Sequence, residues 1–239
     1  MKKLFSGLLR TISLLLLKIG RPVIAWMGKI TKENQPIPNL EGDREIEWSW
    51  VLAHLGTGPG EALDFGCGNN MLSFIAARSG YNVTAIDLQD IRWPYTLANM
   101  RFVRGDILKT DLPESGFDVI INCSSIEHVG LSGRYGSDEN PEGDLGAMAR
   151  MHDLLKPGGV MLLTVPVGID SVFLPLHRVY GRERLPKLLK NWRIEKKEFW
   201  TKNDRNLWVS VSEPEAFNFQ PTKYCYGLGC FVLRNSKNG

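Results

Sequence analysis

Short apolar runs alternate with segments of helical period along most of this chain. Residues 62–65, 83–88, 101–104, 119–124 and 160–165 are runs of strand length that stay largely apolar on both sides. That is the pattern of strands covered on both faces, as in a parallel sheet. Residues 70–78 read as a helix stopped by Gly80. Residues 144–155 repeat apolar positions at helical spacing and stop before Pro157-Gly158-Gly159. Residues 192–200 and 229–234 read as two further strands, expected to pair as an antiparallel hairpin at the sheet edge. The alternation predicts a doubly wound α/β fold with a mostly parallel, seven-stranded sheet and that C-terminal hairpin. Ligands of such sheets sit at the carboxyl ends of the strands, where strand order reverses. Asp64, Asp87, Asp106 and the segment after Asn122 all fall at such ends.

The first 60 residues follow a different pattern. Leu4, Phe5, Leu8, Leu9, Ile12, Leu15, Leu16 and Ile19 recur near helical spacing, with Lys3, Arg10 and Lys18 on the other side. Asn34-Gln35-Pro36-Ile37-Pro38-Asn39 is a polar, proline-broken linker. A helix is expected over residues 43–55, with Asp43 as N-cap and Trp48 and Trp50 as packing residues. The expected organisation is a basic amphipathic arm over 1–32, a linker and leading helix over 33–60, and one domain over 61–239.

Composition sharpens that division. The chain has 239 residues, 43% of them hydrophobic, enough for one full core. A net charge of +3 is too small to imply nucleic acid, but its distribution is uneven. Residues 1–32 hold seven bases and no acid, leaving 22 bases against 26 acids in the rest. The uncharged run over residues 11–17 falls far short of the roughly 20 residues a spanning helix needs. Arg10 and Lys18 interrupt a signal-peptide core, and no small-residue cleavage site follows. Two readings of the arm stay open. One is a helix lying on an anionic membrane surface, which would make the protein cytoplasmic and peripheral on the inner face of the cell membrane. The other is a helix packed on the domain or on a second subunit. Cys67, Cys123, Cys225 and Cys230 have no paired metal spacing, and a disulfide framework is not expected in a chain of this size.

The candidate chemistry begins at Leu63-Asp64-Phe65-Gly66-Cys67-Gly68-Asn69-Asn70, a strand end running into a glycine turn. The glycines permit a tight turn and a close backbone approach to a ligand. A dinucleotide-binding turn would carry a third glycine where Met71 stands, and an apolar residue where Asp64 stands. A carboxylate there would repel a pyrophosphate and attract an ammonium group.

Four segments in order resemble the class I S-adenosylmethionine-dependent methyltransferases: this turn, then Asn82-Val83-Thr84-Ala85-Ile86-Asp87-Leu88, then Val103-Arg104-Gly105-Asp106-Ile107, then residues 154–164. The resemblance implies S-adenosyl-L-methionine as cofactor. Asp64, Gly66 and Gly68 would hold its methionine end, Asp87 the ribose, and Asp106 with Ile107 the adenine; Cys123 would line the same pocket. Ser124-Ser125-Ile126-Glu127-His128-Val129-Gly130, with Gly133-Arg134-Tyr135-Gly136 and His177-Arg178-Val179-Tyr180-Gly181, resembles an uncharacterised bacterial subfamily associated with surface-polysaccharide assembly. That resemblance implies O-methylation of a sugar or glycan hydroxyl, free or lipid-linked.

An acceptor hydroxyl needs a base. His128 is one candidate, because histidine titrates near neutral pH; packing under the cofactor is its other reading. His177 is the second. Arg134, Tyr135, Arg178 and Tyr180 are candidate acceptor contacts, Arg178 as a fork for an acidic group. No metal is expected: Glu127, His128 and His177 match no recognised metal spacing. The alternative function is a module that binds S-adenosylmethionine without transferring its methyl group. A nicotinamide oxidoreductase stands further off.

Overall fold

The computed structural model describes residues 43–93, 96–133, 135 and 138–236. Residues 39–239 form one compact unit. The amphipathic arm predicted over 1–32 lies outside the described residues.

Helix α1 (Asp43–His54) leads into strand β1 (Gly60–Phe65), helix α2 (Leu72–Arg78) and strand β2 (Tyr81–Asp87). Strands β3 (Met100–Arg104) and β4 (Phe117–Cys123) follow, then a single 3-10 turn (Ile126–His128), helix α3 (Gly143–Leu154) and strand β5 (Leu155–Val167). A small hairpin of β6 (Ser171–Phe173) and β7 (His177–Val179) precedes helix α4 (Arg184–Leu188). Strands β8 (Trp192–Lys202) and β9 (Trp208–Val211), helix α5 (Glu213–Asn218) and strand β10 (Gly227–Asn235) complete the chain.

The main sheet has the order β3-β2-β1-β4-β5-β10-β8-β9. The first five strands run parallel; β10 is antiparallel to β5 and β8, and β9 is antiparallel to β8. The fold class is the expected one, with eight strands rather than seven. The added strand is β9, whose four residues include only short apolar stretches beside Leu207 and so carry little signal in sequence. The expected C-terminal hairpin is the β8–β10 pair, but β9 and not that pair closes the edge.

Successive residues of each central strand face opposite layers, as the two-residue period requires. Leu63, Ile120 and Leu163 pack with Met148, Met151 and Leu154 of α3 and Phe217 of α5. Ala62, Val119 and Ile121 pack with Trp50 and Val51 of α1 and Leu72 and Ala76 of α2. The leading helix is therefore part of the domain core, not a preface to it. Gly80, at φ +99°, ends α2 in the left-handed conformation a glycine adopts without strain. Pro157-Gly158-Gly159 does not precede β5 as expected but forms a bulge inside it. Phe117 pairs with Leu155 and Val119 with Val160, so two steps on β4 oppose five on β5. Strand order reverses between β1 and β4, and the carboxyl ends there open into the cleft described next.

Candidate active site

The glycine turn after β1 is pinned from two sides. Gly66 N–H donates to Ile86 O at 2.9 Å, and Cys67 N–H donates to the same oxygen at 3.3 Å. Asp87 accepts from Gly68 N–H at 3.0 Å and from Gln89 N–H at 2.8 Å, one carboxylate oxygen each. Both glycines have positive φ, +66° and +48°. A Cβ on Gly66 would stand 2.4 Å from Ser125 Oγ, whereas one on Gly68 would meet nothing within 4 Å. Steric closeness selects glycine at the first position, and backbone conformation selects it at both.

These elements wall a cleft of about 590 Å³, within the ordinary range of small-molecule sites. Gly66, Gly68, Asp87, Asp106, Ile107 and Cys123 line it, as does the acceptor-side group His128, Tyr135 and His177. Asp106 accepts from Leu108 N–H at 2.9 Å, which turns the chain after β3 toward the cleft. Among the described lining residues the acids are Asp87, Asp106, Glu127 and Asp138, against one lysine, Lys109. Lys109 sits 2.8 Å from Asp138 and 3.9 Å from Asp106, and the Asp138 carboxylate raises its pKa. The cleft therefore favours a ligand bearing positive charge.

Asp64 is not among the lining residues. It is buried beneath the turn and accepts from Ser73 Oγ at 2.5 Å. Burial pushes its pKa up to about 7, with Asp87 adding to the rise. The expectation that it contacts the ligand directly is corrected: the accessible carboxylate at the turn is that of Asp87.

His128 sits at the C-terminal end of the 3-10 turn. Its Nδ1 lies 2.5 Å from Leu176 O. A carbonyl only accepts, so Nδ1 carries the proton and Nε2 of the neutral ring is the basic nitrogen. Glu127 Oε1 lies 3.6 Å from that Nε2, and Tyr135 packs edge-on at 5.1 Å. His177 is held between Phe173 at 5.6 Å and Tyr226 at 5.0 Å. Among the described residues no group of three His, Cys, Asp or Glu is arranged to hold a metal ion.

Arg178 and Tyr180 do not reach the cleft, which corrects their expected role as acceptor contacts. Arg178 is 2% exposed and donates to Val129 O at 2.5 Å, and to Asn140 O and Pro141 O at 3.3 Å. Tyr180 is fully buried and donates to Asp144 Oδ2 at 3.1 Å; burial and the Asp144 charge hold its phenol well above the usual range. Asp144 also takes a two-pronged contact from Arg184, at 2.9 and 2.5 Å. These groups fix the neck of the 130–143 loop from behind. Arg134 lies outside the described residues.

Two contributors were missed in the sequence. Trp48 of α1 packs on the core as expected and also lines the cleft. Glu47, its neighbour, is buried and accepts from Thr164 Oγ1 at 3.2 Å and from Ser124 Oγ, a cleft residue held at φ +45°. The clue was present: a helix reading Glu-Trp-Ser-Trp places an acid among core aromatics.

The comparisons with known proteins agree with this geometry. Residues 106–208 match a family described as "Caenorhabditis protein of unknown function, DUF268". An uncharacterized methyltransferase of Mycobacterium tuberculosis H37Rv is 29% identical over 104 residues, covering 41% of this chain and 47% of that protein. The chain thus spans about half the length of such mycobacterial relatives. A ubiquinone biosynthesis O-methyltransferase of Pseudomonas fluorescens Pf-5 is 26% identical over 196 residues, covering 75% of this chain and 77% of the relative. Among solved structures, the Burkholderia thailandensis 1,6-didemethyltoxoflavin-N1-methyltransferase, with 1,6-didemethyltoxoflavin and S-adenosylhomocysteine bound, superposes with TM-score 0.54 at 20% identity, over 99% of this chain and 91% of that one. The chain has the class I S-adenosylmethionine-dependent methyltransferase fold. Within that fold the glycine turn, Asp87 and Asp106 stand at the ends of three adjacent strands and face one cleft.

Proposed function

We propose that this protein is an S-adenosylmethionine-dependent methyltransferase that methylates a sugar or glycan hydroxyl, on a lipid-linked acceptor, at the inner face of a membrane reached through residues 1–32. The observation that carries the first part is the acid-lined cleft built on the Gly66–Gly68 turn. The residues fit the cofactor. Gly68 leaves open space where any other residue would place a Cβ, and the Asp87 oxygens keep acceptor lone pairs beyond their two backbone bonds. Gly66 and Gly68 meet the methionine end, Asp87 the ribose hydroxyls, and Asp106 with Ile107 the adenine. Cys123 and Ser124 close the floor.

When bound, the cofactor supplies a methyl group already activated by its sulfonium. What remains for the protein is to align an acceptor oxygen, exclude water and remove one proton. His128 Nε2 takes that proton. The Leu176 carbonyl fixes the tautomer that leaves Nε2 basic, and the adjacent Glu127 carboxylate favours the imidazolium that forms. Trp48, Tyr135 and Tyr226 offer flat faces suited to a sugar ring. The ubiquinone biosynthesis O-methyltransferase relative supports transfer to oxygen; the sugar acceptor and the lipid link follow from the sequence resemblance.

Calorimetric titration with S-adenosylmethionine and, separately, with NAD tests the cofactor. Saturable binding of the methyl donor alone is expected, weakened at least about tenfold by Asp87→Ala, since a lost charge-assisted hydrogen-bond partner is worth about 1.5–3 kcal/mol. Unchanged affinity in that variant would remove Asp87 from the site. Radiolabelled methyl transfer to free and lipid-linked sugars then tests the acceptor; donor binding without transfer would favour a module that only binds the cofactor.

A further inference from the structure

We propose that the tip of the β6–β7 hairpin is a lipid-docking surface that seats the mouth of the cleft on an anionic membrane. The proposal rests on the peripheral-membrane part of the reading above and names the part of the folded domain that meets the bilayer.

The exposed large apolar side chains are not scattered evenly. Ile169, Val172 and Leu174 are 44%, 54% and 68% exposed, within six residues of one another. Tyr224, 37% exposed, belongs to the 219–226 segment, which meets the hairpin base where Ile169 N–H donates to Phe219 O at 3.0 Å and the Tyr226 ring lies 5.0 Å from His177. Lys223 stands beside Tyr224 with its ammonium 5.2 Å from that ring. An aromatic with a lysine beside exposed aliphatic residues is the composition of a membrane interface, where the ammonium reaches the headgroups and the apolar groups enter below them.

The root of the hairpin is rigid and belongs to the site. Val179 and His177 are buried, Arg178 is clamped to three carbonyls, and Leu176 O accepts from the His128 ring. The apolar tip therefore projects from the acceptor end of the cleft, and lipid bound there would meet the mouth through which an acceptor enters.

Two arguments select lipid over a second protein. The exposed large apolar side chains grouped here are Ile169, Val172, Leu174 and Tyr224, against the roughly 20–30 residues a side of a stable protein interface. Insertion into lipid needs no complementary partner surface, and it acts with a second signal. The chain carries that signal in residues 1–32, whose seven bases and no acids complement an anionic headgroup layer.

The test uses the full-length chain, co-sedimented with phosphatidylglycerol–phosphatidylcholine vesicles and with pure phosphatidylcholine vesicles. Binding to the anionic vesicles is expected, weakened about tenfold or more by Val172→Asp with Leu174→Asp, because a carboxylate is repelled by anionic headgroups and resists leaving water for the apolar layer below them. S-adenosylmethionine titration and melting temperature of the double variant are expected to match the parent. If they do not, Val172→Ser with Leu174→Ser, which is milder at exposed positions, carries the test. Three outcomes overturn the proposal: no binding to anionic vesicles, binding that responds only to charge reversal at Lys2, Lys3 and Arg10, or concentration-dependent self-association that the Asp substitutions abolish. Failure of vesicle binding with donor binding intact would sink this surface and leave the methyltransferase reading standing.

Discussion

Asp64 shows how a single buried carboxyl links chemistry to stability. Burial raises its folded-state pKa to about 7, against about 3.9 for an unfolded aspartate. The folded state then holds a proton that the unfolded state has already lost between these values. The stabilising contribution is full below about pH 4 and is lost as pH rises toward 7, a change of about 4 kcal/mol at most. Asp64→Asn keeps an oxygen for Ser73 and removes the titration. Its melting temperature is expected to exceed that of the parent at pH 8 and to converge with it near pH 4; parallel curves across that range would contradict the assignment. At the next turn, Gly66→Ala would drive a Cβ into Ser125 at a left-handed backbone position, costing about 1–3 kcal/mol and donor affinity together, read by melting and titration. His128→Gln is expected to slow methyl transfer by about 10²–10⁴-fold with donor affinity unchanged. An undiminished rate would remove it as the base.

At the level of elements, the neck of the 130–143 loop depends on a buried charge network rather than on apolar packing. Asp144, fully buried on α3, is shared by Arg184, Tyr180 and, at 3.8 Å, Arg178. Asp144→Ala would leave the buried Arg178 charge without its carboxylate and Arg184 with Glu142 alone, at a cost of about 3–5 kcal/mol by denaturant melts. Arg178→Lys is milder, since one ammonium replaces a fork that reaches Val129, Asn140 and Pro141; it should loosen the acceptor side while donor affinity holds. This element is also where sequence reading failed most clearly. Arg178 and Tyr180 follow the strand in the order that an acceptor wall would, yet both turn inward, because their partners Asp144 and the loop carbonyls come from segments 34 to 49 residues away. Trp48 failed in the opposite sense. An amphipathic helix marks its buried face, but not that one residue of that face, packed on the core, also borders a cleft.

Across the whole molecule, the period-two and period-3.6 patterns carried the central strands, helices α1 to α3 and the parallel half of the sheet, because these elements are buried on the faces that the pattern records. The strand-end positions of Gly66, Gly68, Asp87, Asp106 and Cys123 followed from that pattern with the order of the motifs. Among the described residues no helix is long and apolar enough to cross a membrane. What the sequence by itself determined is thus the fold class, the glycine turn and the row of acids at strand ends, all set by local spacing. Tertiary structure alone decided that β9 closes the sheet and that Asp64 lies beneath the turn while Asp87 faces the cleft. It also decided that Arg178 braces a loop and that the hairpin whose base carries the cleft residue His177 has an exposed tip. Each of those depends on which distant segment packs against a residue, and burial, partner and charge state are properties of that packing rather than of the residue's neighbours in the chain.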